Sequence, residues 1–388
     1  MYARLLTPTS TRLLKLFPGE PNSQIVTSLE QVDLAVSPVF ECLSYTWGTS
    51  GDTSNISVDS STVAVRSNLY NFLQSLRATN ETRTLWVDAL CISQTDLDEK
   101  AHQVAMIGRI FRQAARVLVW VGESADGSDV PFQPTPDRPL WRQAVGAQPP
   151  SAVIRQRVTL WNAYLSRPYW RRTWIVQEII CAKNIIVHCG ANRADWEDLI
   201  RPRIYAVGAL RFDGISLVSS KLERSVGLEA ANRFVENAQA IENLANSRWS
   251  YWQARDTATP GHQVIYMFPQ FASNGCFDRR DKIYAMLSLE PEQAFRDAVG
   301  VDYKVTCSVE ELFARVLNAL EHDGWNGRLA ASSLVRIFNM SRREVSVLLG
   351  YLATHPRAPS TESLSYLERY VYDGESSPFS DAPVRVLP

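Results

Sequence analysis

Hydrophobic and polar positions along the chain fall into blocks whose period changes from strand-like to helix-like and back. Thr11-Arg12-Leu13-Leu14-Lys15-Leu16 reads as a short strand closed by Pro18-Gly19. Val39 to Gly48 mixes apolar and β-branched residues and stops on glycine, which predicts a buried strand. Residues 51–66 alternate around Ile56, Val58, Val63 and Val65, with a polar turn at Asp59-Ser60-Ser61, the pattern of a hairpin. Leu69, Phe72, Leu73 and Leu76 sit at helical spacing, and Leu85 to Ile92 predicts a second buried strand. Asp96-Leu97-Asp98-Glu99 has the form of a capping box with an acidic first turn. It opens a helix with Ala101, Val104, Gly108, Phe111 and Ala115 on one stripe. Val117 to Gly122 is apolar throughout, as central parallel strands are. Helical pattern returns from Val153 to Leu165, breaks at Pro168 and restarts from Arg172 to Ala182; Ile185 to Cys189 then predicts a fourth strand of this alternating run.

Buried strands alternating with amphipathic helices predict an α/β fold with a doubly wound, mostly parallel sheet, here carrying an inserted hairpin and loop. Such sheets bind ligands at the carboxyl ends of their strands, near the point where strand order reverses. That rule gathers Trp47-Gly48, the 88–96 loop and the loop after Val121 around one crevice. Residues 124–151, rich in Pro, Gly, Asp and Ser, read as an exposed insertion. The α/β region is expected over 1–200 and a mainly helical region over 201–354. In the latter, Ser308-Val309-Glu310-Glu311 caps a helix, and two more are expected near 328–338 and 341–354. Residues 355–388 read as a disordered tail.

Composition narrows the function classes. With 40 basic and 41 acidic residues the net charge is -1, so no global field favours nucleic acid or an anionic membrane surface. No stretch is long and apolar enough for a signal core or a membrane helix. Six scattered cysteines form no C-x-x-C pair and read as buried thiols, which together with the missing leader predicts a cytoplasmic protein. No Ser/His/Asp set, metal cluster or phosphate-binding glycine loop is legible, and His188 reads as a core histidine. The run Arg279-Arg280-Asp281-Lys282 reads as a solvated helix start.

Three blocks carry a family resemblance: Phe40-Glu41-Cys42-Leu43-Ser44-Tyr45-Thr46-Trp47-Gly48; Leu85 to Gln94 with Asp96 and Glu99-Lys100; and Arg171-Arg172-Thr173-Trp174-Ile175-Val176-Gln177-Glu178. Their wording and order resemble the fungal heterokaryon incompatibility (HET) domain. Arg12 to Leu16 and Arg280 to Leu287 resemble flanking segments of the same family, so the similarity runs to about residue 325. The resemblance implies a role in heterokaryon incompatibility, allorecognition and programmed cell death. It also implies a distant kinship to Toll/interleukin-1 receptor (TIR) domains, whose fold is flavodoxin-like. In that comparison Cys42 to Tyr45 resembles the first strand box, Leu85 to Asp88 the second strand, and Trp174-x-x-x-Glu178 the element carrying the glutamate of NAD-cleaving TIR domains. The hairpin at 51–66 and the insertion at 124–151 depart from that pattern.

Cleaving NAD at the nicotinamide–ribose bond needs less machinery than ordinary sugar hydrolysis. Glycosidases use one carboxyl group to protonate a poor leaving group. Nicotinamide is cationic in NAD and leaves neutral, so one fixed carboxylate beside the developing ribose charge suffices. Glu178 is the candidate, with Trp174 one helical turn away able to fix it; the competing reading makes Trp174 core and pairs Glu178 with Arg171, Arg172 or Lys183 on the surface. Tyr45 and Trp47 are candidates to stack on a base or ring, or else ordinary strand-end packing. Gly48, with Gly51, permits a close phosphate approach. Asp88 either bonds a ligand or pins its own loop. The expectation is an NAD glycohydrolase without a tightly bound cofactor or metal. The alternative is a non-catalytic TIR-like module that self-associates, or docks a HET- or TIR-like partner, through the 93–100 loop. No nucleic acid is expected as a partner.

Overall fold

The computed structural model describes residues 2–48 except 22, 51–132 except 79, 151–200, 223–254 except 225, and 263–372. Its contacts divide the chain into two units, residues 1–94 with 109–256, and residues 95–108 with 257–388. The division does not follow the expected boundary at 200.

The first unit holds β1 (Ser10–Leu16), β2 (Val26–Asp33), β3 (Glu41–Tyr45), β4 (Thr53–Val58), β5 (Ser61–Arg66), α1 (Ser67–Leu76), β6 (Arg83–Trp86) and α2 (Asp88–Cys91). It continues through the end of α3 (Leu97–Gln113), β7 (Arg116–Trp120), α4 (Ser151–Leu165), α5 (Ile175–Cys181), β8 (Ile185–Cys189), β9 (Asn192–Asp195) and α6 (Leu228–Ala254). The nine strands form one sheet in the order β5-β4-β2-β1-β6-β3-β7-β8-β9. At its centre β6, β3, β7 and β8 run parallel, with Cys42 paired to both Trp86 and Val117, and Val119 to Val187. Outside that core β1 is antiparallel to β2 and β6, β4 to β5, and β8 to β9. The sheet is therefore mixed, not mostly parallel as the alternation of elements predicts. Strand direction is set by pairing, and neither β2 nor β9 shows a strong apolar alternation that would announce it.

Period-two geometry assigns the core strands' side chains to two faces. Trp120 and His188, register partners, meet Phe72 of α1 at ring distances of 5.1 and 5.8 Å. Trp86 and Cys42 face α3 instead, Trp86 edge-on to Phe111 at 5.7 Å and Cys42 against the Ile110 carbonyl. Helices thus cover both faces, and the α/β reading holds. The predicted hairpin is β4–β5, its turn residues Asp59 and Ser60 at φ 47° and 63°. Asp96 opens α3, its carboxylate accepting the Asp98 and Glu99 N–H groups.

Two elements depart from expectation here. The run Leu85 to Ile92 is a strand only to Trp86 and then turns into α2. Leu90, Cys91 and Ile92 are buried in either geometry, so their hydrophobicity did not distinguish strand from helix. Of the insertion expected at 124–151, residues 133–150 lie outside the described residues. Its start is exposed at Ser124, Ala125 and Asp126, as expected, but Ser128 is buried and Phe132 packs edge-on against Tyr164.

The second unit is helical: the first part of α3, then α7 (Gln263–Tyr266), α8 (Asp281–Leu287), α9 (Gln293–Val299), α10 (Val309–His322), α11 (Gly327–Ile337), α12 (Arg342–Thr354) and α13 (Thr361–Tyr372). Ser308 caps α10 by accepting the Glu311 N–H, and Ser341 with Glu344 completes a capping box on α12. Helix α13 occupies part of the expected tail; its Tyr366 and Leu367 are fully buried. Residues 373–388 of that tail lie outside the described residues. The charge run at 279–282 is not solvated either: Asp281 and Lys282 are buried. Among the described residues no helix is long and apolar enough to cross a membrane.

Candidate functional site

Strands β3 and β7 lie side by side at the centre of the parallel core, and strand order reverses between them. The chain goes from β3 outward to β6 on one side, then returns to add β7 and β8 on the other. The carboxyl ends of β3 and β7 therefore flank the position where open α/β sheets hold ligands. Glycines follow both ends with positive φ, Gly48 at 81° and Gly122 at 112°. A side chain at either would be strained.

Glu178 reaches this place from α5. It is 6% exposed. Its Oε2 accepts a short hydrogen bond from Ser44 Oγ on β3, and Arg172 Nη1 stands 3.7 Å from the same oxygen. Ser44 Oγ in turn lies 2.7 Å from Tyr169 Oη. Burial pushes the Tyr169 phenol far up, so it keeps its proton and donates to Ser44, whose own proton goes to Glu178. The polarity of the chain Tyr169→Ser44→Glu178 suits an ionised carboxylate. Both contacts fall on Oε2, and Oε1 accepts no hydrogen bond among the described residues. Burial raises the Glu178 pKa, opposed by the Arg172 charge and the Ser44 hydrogen bond.

Asp88 forms the second half of the site. Its Oδ1 accepts from Tyr45 Oη at 2.8 Å and from the Ala89 N–H at 2.8 Å, and its Oδ2 accepts from Trp47 Nε1 at 2.7 Å. Gln94 Nε2 donates to the Asp88 carbonyl at 3.0 Å. Asp88 thus pins its own loop, as one sequence reading holds, and also ties the end of β3 to the start of α2. The two halves sense each other: burial raises the Tyr45 phenol pKa first of all, and the charges of Asp88 and Glu178 add to it, as the Asp88 charge adds to the effect of burial on Glu178.

Of the two aromatic candidates, Tyr45 is 2% exposed and its ring is spent on packing, whereas Trp47 is 37% exposed. The Trp47 face also carries Arg66, whose guanidinium carbon is 5.8 Å from the ring. Arg66 Nη1 donates to the Gly48 carbonyl at 2.7 Å, fixing the loop. Trp174 is half-buried and precedes α5; its carbonyl accepts the Glu178 N–H at 3.2 Å. Gly51, at φ 100°, stands just ahead of β4, before the hairpin, with open space around it. The surface pairing offered for Glu178 is corrected in one respect: its partner is Arg172, but the pair is mostly buried, with side-chain exposures of 18% and 9%.

Sequence reasoning missed Ser44 and Tyr169 as partners of Glu178. Ser44 had a signal, a small hydroxyl between the buried side chains of Leu43 and Tyr45. Tyr169 had none, because its role depends on the 3₁₀ turn at Pro168–Arg171 bringing it back to β3. His188 is a core residue; burial lowers its pKa to about 4, and its Nε2 has no hydrogen-bond partner among the described residues.

Comparison with known proteins bears on this geometry directly. Residues 40–178 match the family described as Heterokaryon incompatibility protein (HET). The match starts just ahead of β3 and ends on Glu178, so it encloses every residue of the site. The chain is also 22% identical over 369 residues to heterokaryon incompatibility protein 6, OR allele, of Neurospora crassa, with 82% of this chain aligned. It spans about half (52%) of that relative's length. No solved structure matches the chain. The segment that builds the β3–α5 site, residues 40–178, is therefore the part of the chain that matches the HET family.

Proposed function

We propose that this chain is a fungal heterokaryon-incompatibility effector whose HET domain is TIR-like and cleaves NAD at the nicotinamide–ribose bond, with Glu178 as the charge-stabilising group. One observation carries the reading. Glu178 is a buried carboxylate, held through a single oxygen, at the carboxyl end of a switch-point strand. The parallel core order β6-β3-β7-β8 supports the flavodoxin-like comparison, since it is the order 2-1-3-4 of that fold class.

In the proposed reaction the ribose C1–N bond breaks and its electron pair stays on nicotinamide, which leaves neutral. Positive charge spreads over the ribose ring and meets Glu178 Oε1 in a water-poor setting, where a fixed charge acts most strongly. Water then bonds to C1 and releases a proton to solvent. Trp47, partly exposed, offers ring surface to a planar group, and Arg172 is the cation beside the carboxylate. Cell death follows from loss of NAD or from the nucleotide product.

A second reading makes the domain a non-catalytic self-association module in the cytoplasm. It draws on the internal pairing of Arg172 with Glu178 and the full bonding of Asp88, which leave the site content without a ligand. It draws also on β5, whose outer edge ends the sheet and has no strand partner among the described residues. Nicotinamide release by wild-type protein beside Glu178→Gln separates the two readings.

A further inference from the structure

Helix α5, which carries Glu178, is only Ile175–Cys181. In water a helix below about 12 residues is marginal by itself. The last carbonyls of any helix also lack intrahelical donors. Here the donors come from α6, which lies beyond the region matched by the HET family. Arg248 Nη1 donates to the Ile179 carbonyl at 3.1 Å and to that of Ala182, and Nη2 donates to Lys183 O at 2.9 Å. Trp252 Nε1, one turn on, donates to Ile180 O at 2.9 Å.

The grip extends to the other end. Just before α5, Arg171 donates to Asn237 Oδ1 of α6, and Asn237 Nδ2 donates to Ser166 Oγ at 3.1 Å. Arg112, at the end of α3, donates to Tyr251 Oη of α6 at 3.0 Å and meets Cys181 Sγ at 3.6 Å. Helix α6 is itself seated by Ala231, Phe234, Ala238, Ile241 and Leu244, a buried stripe at helical spacing. A cation at a helix C-terminus also complements the local dipole, and a planar guanidinium reaches several carbonyls where an ammonium would not.

We propose that α6 is the positioning element of the HET site: Arg248 and Trp252 fix α5 from behind so that Glu178 meets Ser44 through Oε2 and turns Oε1 to the ligand side. The proposal rests on reading Glu178 as the acting group. Neither residue touches the site, so both act through α5. The sensitivity is geometric. Every residue of α5 is buried, and a displacement near 1 Å is enough to break the Ser44 contact and misplace the carboxylate.

The test uses the full chain with Arg248→Gln, Arg248→Lys, Trp252→Phe and Glu178→Gln beside wild type. The first readout is the carboxyl-carbon NMR titration of Glu178, assigned by its disappearance in Glu178→Gln. Burial places the wild-type titration above the ordinary 4.5; in Arg248→Gln and Trp252→Phe loss of the Ser44 hydrogen bond raises it further while the fold persists by circular dichroism, and Arg248→Lys falls between. The second is nicotinamide release, expected to drop about tenfold in kcat for Arg248→Gln and about threefold for Trp252→Phe, with KM held and lysine restoring part. An unchanged Glu178 titration in the folded variants overturns the proposal. Wild type that releases no nicotinamide defeats the cleavage reading instead, and the titration still decides the role of α6. Should Arg248→Gln not fold, Trp252→Phe, which removes one donor and little volume, decides it.

Discussion

Both units bury charge, and they do so differently. In the second unit Arg280 is bonded to Asp278 at 2.7 Å and to the carbonyls of Asp302, Lys304 and Cys307 at 3.3, 3.0 and 2.8 Å. Lys282 Nζ donates to the carbonyls of Ala272 and Asn274, and Asp281 accepts from Tyr303 Oη at 2.7 Å. The Tyr303 ring lies against Lys100 at 4.5 Å and Arg280 at 5.4 Å. Arg280 and Lys282 are spent on holding irregular backbone, and Asp281 on the Tyr303 hydroxyl. In the first unit Glu178 is spent on one side only. Breaking a buried charge pair is costly, so the arrangement in the second unit matters to the fold. A buried charge with an oxygen left over is the one that suggests chemistry.

The comparison breaks most sharply at Arg280. Arg280→Ala removes the guanidinium partner of Asp278 and the donor to the Cys307 carbonyl, while the Asp302 and Lys304 carbonyls keep Tyr284 Oη and the Cys307 N–H, and it is expected to destabilise the chain by about 3 kcal/mol. Urea unfolding measures it; a loss below about 1 kcal/mol would make the cluster ornamental. His188 gives the next effect. Its folded pKa of about 4 lies below its ordinary 6.5, so the unfolded chain binds the proton more readily. The stability it permits is full above pH 6.5 and is lost as pH falls towards 4, by up to about 3 kcal/mol. His188→Leu should flatten that part of the stability profile, and an unchanged acid slope would assign it to other groups.

Smaller effects sharpen the account of the site. Ser44→Ala removes the donor to Glu178 and the acceptor for Tyr169, an expected loss of about 1–3 kcal/mol in urea unfolding. Glu178→Gln runs the other way. A buried carboxyl with a raised pKa contributes stability below its ordinary 4.5 and loses it as pH climbs through the folded value. The variant should therefore be at least as stable as wild type at pH 8, with the difference closing by pH 5. A large loss at pH 8 would mark Glu178 as a structural ion-pair partner of Arg172.

What the sequence discloses follows from how local each signal is. The Leu69–Leu76 stripe, the Asp96 cap and the Asp59-Ser60 turn are complete within a few residues, and each appears where expected. β2 was illegible because most of its residues are half-exposed, so Val26, Leu29 and Val32 stand among polar neighbours without a buried face to mark them. Helix α13 was hidden by a serine- and glutamate-rich wording that anchors through few buried side chains. Arg279 to Lys282 reads as solvated because the carbonyls it serves lie at 272–274 and 302–307. The three-block wording picked out Glu178, Asp88, Tyr45 and Trp47, and the fold brings these four to the end of β3. That Tyr45 is bonded rather than open, and that Ser44 and Tyr169 orient the carboxylate, depends on contacts more than 40 residues apart in sequence.

The most direct test of the Glu178 reading is chromatographic measurement of nicotinamide released from NAD by concentrated protein with a crowding agent, wild type beside Glu178→Gln. The account predicts release by wild type and a fall of about 100-fold or more in a variant whose unfolding midpoint at pH 8 is no lower. Equal release by both, or none from wild type, would contradict it and leave the HET domain as a docking module.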